Sequence, residues 1–332
     1  MKYTIKDVAR KCGVSIATVS RVLNGSKPVS KELAEKVMKA VNEAHYKPNS
    51  IARSLILKKT NLLGVVIPNV SQPFHGLALS GIEEIASQNG YNVIICNVFD
   101  SLEKELKYFK ILEEKQVDGI ILMHESTSSE VINFIEETHI PIVLASVLIE
   151  GVHLPSVKID DFKASYDAVK YLIDSGHRNI AMICGKEITA GDYRSKGYYK
   201  ALTDCGLHIN PQYMKEGSFT VRSGYEIMKQ FLKLKPLPTA LFAANDEMAI
   251  GAINCILDHG LNVPRDISVV GFDGIEWSSI YRPRLTTIQQ PIKRIGMEAA
   301  KLLVRILNSG NCDISDITLD YQLIVRESSM SR

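Results

Sequence analysis

From Leu62 onward the chain repeats one texture: a short β-branched run, a loop, then an amphipathic helical pattern. The runs are LLGVVI (62–67), YNVIIC (91–96), GIILM (119–123), IVLA (142–145), SVKI (156–159), IAMIC (180–184), ALFA (240–243) and SVVGF (268–272). Strands separated by helices are joined by crossovers rather than hairpins, so the alternation predicts a parallel sheet with helices on both faces. A strand–helix–glycine unit occurs twice: strand 62–67, helix 76–88 and Gly90, then strand 180–184, helix 197–204 and Gly206. That echo predicts two similar open α/β lobes rather than one barrel, and it is not a tandem array.

The first 60 residues read differently. Thr4 caps a helix with Ile5, Val8 and Ala9 on one face, and Gly13 ends it by taking a positive φ without penalty. Ser15 caps a second short helix, IATVSRVL, with Val19, Val22 and Leu23 inward, and Asn24-Gly25-Ser26-Lys27-Pro28 is a turn cluster. Ser30 opens a third helix, KELAEKVMKAVNEA, with Leu33, Val37, Met38 and Val41 at core spacing. Two short helices about a glycine turn followed by a longer third is the helix-turn-helix arrangement.

Charge separates the two regions. The whole chain carries only +2, but residues 1–60 hold thirteen Lys/Arg against four acids, and the remaining 272 residues carry −7. A basic arm on an acidic body implies an anionic partner for the arm. In a recognition helix the N-terminal residues meet base edges while flanking groups hold phosphates. Here Ile16 and Ala17 point outward at the start of the second helix, Arg21 suits guanine O6/N7, and Thr18 and Ser20 suit phosphate oxygens. Asn24 and Thr4 are further phosphate candidates, and Ser15 joins them as a DNA-binding candidate. The alternative is a capped helical unit whose basic residues are merely solvated. After Tyr46-Lys47-Pro48, the run Asn49 to Leu57 has the length of a marginal nine-residue helix, which needs a partner to order it.

Open parallel sheets bind ligands beyond the carboxyl ends of their strands. Those ends carry Asn69 and Phe74 after 62–67, Asn245 after ALFA and Asp273 after SVVGF. Arg194 lies on the loop before Gly197, and Phe219 precedes TVRSGYEIMKQFL. A carboxylate, a guanidinium, carboxamides and two aromatic faces suit a polyhydroxylated ligand, the polar groups bonding hydroxyls and the rings covering apolar sugar faces.

Several chemistries are missing from the sequence. There is no G-x-x-x-x-G-K-[ST] loop, no G-x-G-x-x-G after a strand, no H-E-x-x-H and no G-x-S-x-G, so the chain reads as a non-enzyme without cofactor or metal. The six cysteines are scattered without a C-x-x-C pair. No signal-peptide pattern opens the chain, and no run approaches the roughly 18 apolar residues of a membrane span. A reduced, cytoplasmic protein with no membrane partner is expected. His177 reads as a structural turn residue, Asp160-Asp161 as a helix start, and Glu83-Glu84 as a solvated face.

TIKDVARKCGVSIATVSRVLNG followed by YKPNSIARSL resembles the N-terminus of the LacI/GalR family of transcriptional regulators. The resemblance continues through IPNVSQPF, GIEEIA, KQVDGIIL, IDSGHRNIA, PTALFAANDEMAIGA, DISVVGFD and RPRLTTIQQP, in family order over nearly all 332 residues. PSVKID and DAVKYLIDSGHRNIA resemble its catabolite-control branch. The resemblance implies a helix-turn-helix DNA-binding domain (1–48), a hinge helix and linker (49–60) and a two-lobed, periplasmic-binding-protein-like (type I) sensor (61–332). The N-lobe would comprise about 61–160 and 290–320, and the C-lobe about 161–289 and 321–332. It further implies a homodimer on pseudo-palindromic double-stranded DNA, with Leu55 wedged into the minor groove beside Arg53 and Asn49. It implies a small-molecule effector, carbohydrate in class, at Asn69, Phe74, Arg194, Phe219, Asn245 and Asp273.

Two departures bear on that effector. Many sugar-responsive members carry Asp-Arg after the fourth body strand, where this chain has Ala145-Ser146-Val147. A phosphocarrier protein is the alternative corepressor in the catabolite-control branch. The Tyr-Asp pair expected at its docking face is Lys293-Arg294 here, although Lys301 and Arg305 remain basic. The chain ends at VRESSMSR without a heptad helix, which favours a dimer over a tetramer. A solute-binding transport protein and a sugar-modifying enzyme with a DNA-binding appendage are the remote alternatives.

Overall fold

Helices and strands follow the hydrophobic periodicity closely. The computed structural model describes residues 3–24, 28–44, 59–99, 101–126, 128–185, 189–309 and 316–332. The chain divides into two units, Met1–Thr60 and Asn61–Arg332.

In the first unit, α1 (Ile5–Cys12), α2 (Ile16–Asn24) and α3 (Lys31–Glu43) enclose a small core of Val8, Ala9, Cys12, Val19, Val37, Ala40, Val41 and Ala44. Gly13 ends α1 at φ 67°, where a side chain would be strained. Ser15 Oγ accepts from the Thr18 N–H at 3.1 Å and Ser30 Oγ from the Leu33 N–H at 3.4 Å, so both expected caps form. Lys11 pairs with Glu43 at 2.7 Å, tying α1 to α3. Met38 departs from the expected core: it is 43% exposed, and Ala40 turns inward instead. A core this small closes around alanine, and the longer side chain lies on the outer face. The hinge helix expected over Asn49 to Leu57, with Arg53 and Leu55, lies outside the described residues.

The second unit is built on two six-stranded sheets. One holds β1 (Leu62–Ile67), β2 (Asn92–Asn97), β3 (Gly119–Leu122), β4 (Ile142–Ala145), β5 (Ser156–Lys158) and β11 (Asp316–Thr318) in the order β11-β5-β4-β3-β1-β2, all parallel. Around it lie α4 (Pro73–Gln88), α5 (Leu102–Glu114), α6 (Ser129–Glu137) and α12 (Ile292–Ser309). The other sheet holds β6 (Ile180–Cys184), β7 (Met214–Glu216), β8 (Ala240–Ala243), β9 (Ser268–Asp273), β10 (Thr286–Gln289) and β12 (Gln322–Ile324). Their order is β12-β10-β9-β8-β6-β7, with β12 alone antiparallel, on β10. Its helices are α7 (Asp161–Asp174), α8 (Thr189–Asp204), α9 (Val221–Phe231), α10 (Asp246–Asp258) and the single turn α11 (Trp277–Ile280).

The chain passes between lobes three times, after β5, between β10 and α12, and between β11 and β12. Central strands β3, β4, β6 and β8 are buried throughout, as expected of parallel strands covered on both faces. Helices approach closely through glycine: a Cβ on Gly81 would come within 2.1 Å of the Lys293 carbonyl oxygen, and one on Gly296 within 2.0 Å of the Ala78 carbonyl oxygen. Those two positions lock α4 against α12.

Both helices of the repeated unit start earlier than the sequence pattern predicts, α4 at Pro73 and α8 at Thr189. Gly197 looks like a helix start but lies inside α8, because a Cβ there would meet the Phe162 carbonyl oxygen at 2.4 Å. Its role is the close approach of α7. Arg194 therefore stands on a helix, not on the loop expected for it.

Candidate functional site

The outer face of α2 is assembled as its sequence predicts. Ile16 is 44% exposed, Ala17 and Arg21 are exposed, and Val19 is fully buried beneath them. Thr18 and Ser20 are half-buried at the edge of the face. The Thr18 and Ser15 hydroxyls bond each other at 2.9 Å. Thr4 precedes α1. Its hydroxyl donates to Asp7 Oδ2 at 2.7 Å and its N–H to the same oxygen at 3.0 Å, so the donor is engaged within the helix start. Those two bonds hold the Asp7 carboxyl below its ordinary range. Asn24 closes α2.

The second site is a cleft of about 650 Å³ between the two sheets of the larger unit. Asn69, Phe74, Arg194, Phe219, Asn245 and Asp273, drawn from five separate stretches of chain, all line it. Strand ends put them there. Asn69 follows β1 and folds back on itself, its Oδ1 accepting from the Ser71 N–H at 3.0 Å and hydroxyl at 2.8 Å. Phe74 opens α4. Asn245 caps α10, its Oδ1 accepting from the Met248 N–H at 2.9 Å while its Nδ2 donates to the Phe219 carbonyl at 3.2 Å. Asp273 ends β9.

Arg194 organises the C-lobe wall. It is 6% exposed, its Nε donates to Asp161 Oδ1 at 2.8 Å, and its Nη1 donates to the Ala244 carbonyl at 2.5 Å and lies 3.6 Å from Asp273 Oδ1. The guanidinium sits 3.8 Å above the centre of the Phe272 ring, a favourable cation–π geometry. Burial pushes the Asp273 carboxyl up to about 7, against the downward pull of Arg194 and of the Gln290 amide, which donates to it at 2.9 Å. Asp161 is raised for the same reason, with Arg194 opposing. On the N-lobe wall, His124 Nδ1 and Glu105 Oε1 form a buried pair at 2.9 Å. Gln72 spans the cleft, its Nε2 donating to the Phe219 carbonyl at 3.3 Å.

Backbone strain concentrates at the same place. Of six described non-glycine residues at positive φ, four line the cleft: Phe99 (52°), Ser146 (60°), Phe219 (56°) and Asp273 (106°). Each such conformation costs on the order of 1–3 kcal/mol and persists where surrounding contacts impose it, often at ligand sites. Gly185 leaves room for Phe219: a Cβ there would meet the ring at 2.1 Å.

Sequence reading missed two lining residues, Gln72 and Glu247, and two residues that bond lining side chains, Asp161 to Arg194 and Gln290 to Asp273. Asp161 was read as part of a helix start because Asp160 beside it does cap α7, accepting from the Lys163 N–H. Its true partner, Arg194, is 33 residues away, and no local pattern links them. Gln72, Gln290 and Glu247 lie inside the stretches that carry the family resemblance, but nothing in those stretches singled them out. Gln290 could have been noticed as the residue just beyond a strand end, the rule that located Asp273. His177, by contrast, is the structural residue expected, buried and bonded to the Thr239 and Ser268 hydroxyls. Among the described residues no group of three or more His, Cys, Asp or Glu is placed to hold a metal, and no helix is long and apolar enough to cross a membrane.

A three-helix reader and a two-lobed body with a polar, strained cleft define a class: helix-turn-helix proteins carrying a periplasmic-binding-protein-like domain. The comparisons place the chain within it. Residues 4–49 match the family of bacterial regulatory proteins of the lacI type, and residues 60–327 match the periplasmic binding proteins and sugar-binding domain of the LacI family. Catabolite control protein A of Priestia megaterium is 40% identical over 331 residues, covering 99% of this chain and 100% of that protein. The lac repressor dimer bound to operator and the anti-inducer ONPF superposes with a TM-score of 0.89 at 30% identity, over 99% of this chain and 100% of that one. A complex of the transcriptional regulator CelR with cellobiose gives 0.77 at 30% identity, over 99% and 100%. The chain belongs to the LacI family of DNA-binding transcriptional regulators.

Proposed function

We propose that this protein is a repressor that binds a pseudo-palindromic operator as a homodimer, its operator affinity set by a small hydroxylated molecule, carbohydrate in class, in the interlobe cleft. The observation that supports the ligand assignment most is the convergence of Asn69, Phe74, Arg194, Phe219, Asn245 and Asp273 on one cavity. The exposed Ile16, Ala17 and Arg21 on a braced α2 support base reading, with Ser15 just before the helix and Thr18 and Ser20 on it; Asn24 ends the helix. The similar regulator solved with cellobiose supports a sugar as effector.

The coupling is a free energy shared by two sites. A ligand that favours one relative pose of the lobes changes operator affinity by a factor of roughly 5–150, or about 1–3 kcal/mol. In this reading the segment 49–60, with Asn49, Arg53 and Leu55, carries the coupling by ordering on DNA. A phosphocarrier corepressor would dock on the basic residues of α12. There Lys293 is held by Glu84 at 2.7 Å and Lys301 by Glu298 at 3.0 Å, so the cleft supports the stronger reading.

Fluorescence anisotropy on a palindromic operator, with and without a panel of sugars, tests the proposal. Arg194→Ala is expected to retain operator binding and lose the sugar response. Leu55→Ala is expected to weaken specific binding and spare non-specific binding. Operator affinity that does not fall with salt would contradict the basic reader, since each neutralised phosphate contributes a slope of about −0.9 in log–log form.

A further inference from the structure

Among the described residues, Glu247 is the one cleft carboxylate with no hydrogen-bond or ion-pair partner. It stands in the first turn of α10, half-buried, and lines the cavity. No hydrogen bond or ion pair among the described residues engages it, and burial alone pushes its carboxyl up to about 7. The surrounding charge is negative. Among the described residues, Glu105, Glu125 and Asp273 share the lining with it, and Arg194 is the only guanidinium or ammonium there. That guanidinium is already shared between Asp161, Asp273 and the Ala244 carbonyl.

The N-terminus of α10 is where an anion would ordinarily settle, since its free N–H groups and helix dipole attract negative charge. In this chain the position is taken. The Asn245 side chain caps the helix, the Asp246 carboxylate accepts from Ile275 N–H and the Thr287 hydroxyl, and Glu247 projects a carboxylate at the cavity.

We propose that Glu247 is a specificity-determining residue of the effector site, selecting an uncharged polyhydroxylated ligand and rejecting the phosphate ester of the same compound. This rests on the sugar-cleft reading above. Above pH 7, where the Glu247 carboxyl is ionised, a hydroxyl donating to it forms a charge-assisted hydrogen bond, about twice as strong as a neutral one. A phosphate brought to the same wall meets like charge at reduced dielectric, where a repulsion of even ~1.4 kcal/mol is tenfold in affinity.

The test uses the full chain and titration calorimetry with neutral mono- and disaccharides, each paired with its phosphate monoester: glucose with glucose 6-phosphate, ribose with ribose 5-phosphate, cellobiose with its 6-phosphate. The expected result is at least one neutral sugar binding about tenfold or more tightly than its ester. Glu247→Gln narrows that ratio about tenfold, and Glu247→Asp, which keeps the charge, preserves it. A phosphate ester binding as well as or better than its parent in the wild-type protein overturns the proposal while leaving the sugar-cleft reading intact. An unchanged ratio in a folded Glu247→Gln protein overturns the assignment to Glu247. Failure of every sugar, neutral and phosphorylated, overturns the sugar-cleft reading itself and the selectivity with it.

Discussion

Replacing Arg194 by methionine isolates the charge at the centre of the cleft wall. Methionine keeps an unbranched stem over the Phe272 ring and removes only the guanidinium. Asp161 and Asp273, whose side chains are 10% and 9% exposed, then lose their shared counter-ion, and the Ala244 carbonyl loses its donor. Breaking a buried ion pair from one side costs about 3–5 kcal/mol, because the remaining charge stays out of water. Both carboxyls are already raised by burial, so in the variant they rise further and take up protons at a higher pH. At pH 8 that protonation is opposed by the solvent and the full penalty applies. Toward pH 5.5 the Asp273 carboxyl is neutral and the raised Asp161 carboxyl is more readily protonated, so the remaining loss moves toward that of unsatisfied hydrogen bonds, about 1–3 kcal/mol.

The expected result in urea denaturation of the full chain is therefore a deficit that shrinks by about half or more between pH 8 and pH 5.5. In thermal melts the pH 8 deficit corresponds to a fall on the order of 10 °C, at ~2–4 °C per kcal/mol for a domain of this size. A deficit equal at both pH values would refute the reasoning, since the two carboxyls would then not be its source. A loss below ~1 kcal/mol at pH 8 would equally show that Arg194 is not neutralising them.

Three further outcomes follow from the same geometry. Gly81→Ala should destabilise by about 1–3 kcal/mol through collision with the Lys293 carbonyl, whereas Gly76→Ala in the same helix, with open space around it, should gain up to ~1 kcal/mol; paired thermal melts distinguish them. Asp273 holds its proton more tightly in the folded protein, at about 7, than a free carboxyl does, so its contribution is full at low pH and lost as pH rises through 7. The wild-type protein should accordingly lose stability relative to Asp273→Asn between pH 5 and 8, and parallel urea curves for the two across that window would contradict the raised carboxyl. Gln72→Ala removes the Nε2–Phe219 bond across the cleft, and should shift effector affinity by a factor set by about 0.5–1.5 kcal/mol, read by calorimetry, without changing the effector-free operator affinity more than twofold.

Local signals carried much of the architecture. Short β-branched runs exposed eight of the twelve described strands, β1 to β6, β8 and β9, and the 3.6-residue period exposed the three reader helices, since local burial is written in residue order. The caps Ser15 and Ser30 and the turn at Gly13 were legible for the same reason: each depends on contacts within four residues. Short edge strands such as β7 and β11 were not, because three residues of mixed polarity carry no period.

The cleft divides in the same way. Strand ends mark where a parallel sheet presents ligand-binding side chains, so Asn69, Phe74, Asn245 and Asp273 could be named from order alone. Which of them meet could not. Arg194 lies on a helix that packs closely on α7 at Gly197, and it meets its partner Asp161 on that same helix α7. The raised carboxyls of Asp273 and Glu247 arise from burial between elements distant in sequence. Sequence by itself determined the alternating α/β body, the basic reader and the residue types at the strand ends, since those depend on neighbours along the chain. Only the tertiary structure decided the charge of the cleft, because desolvation and ion pairing depend on distances that residue order does not encode.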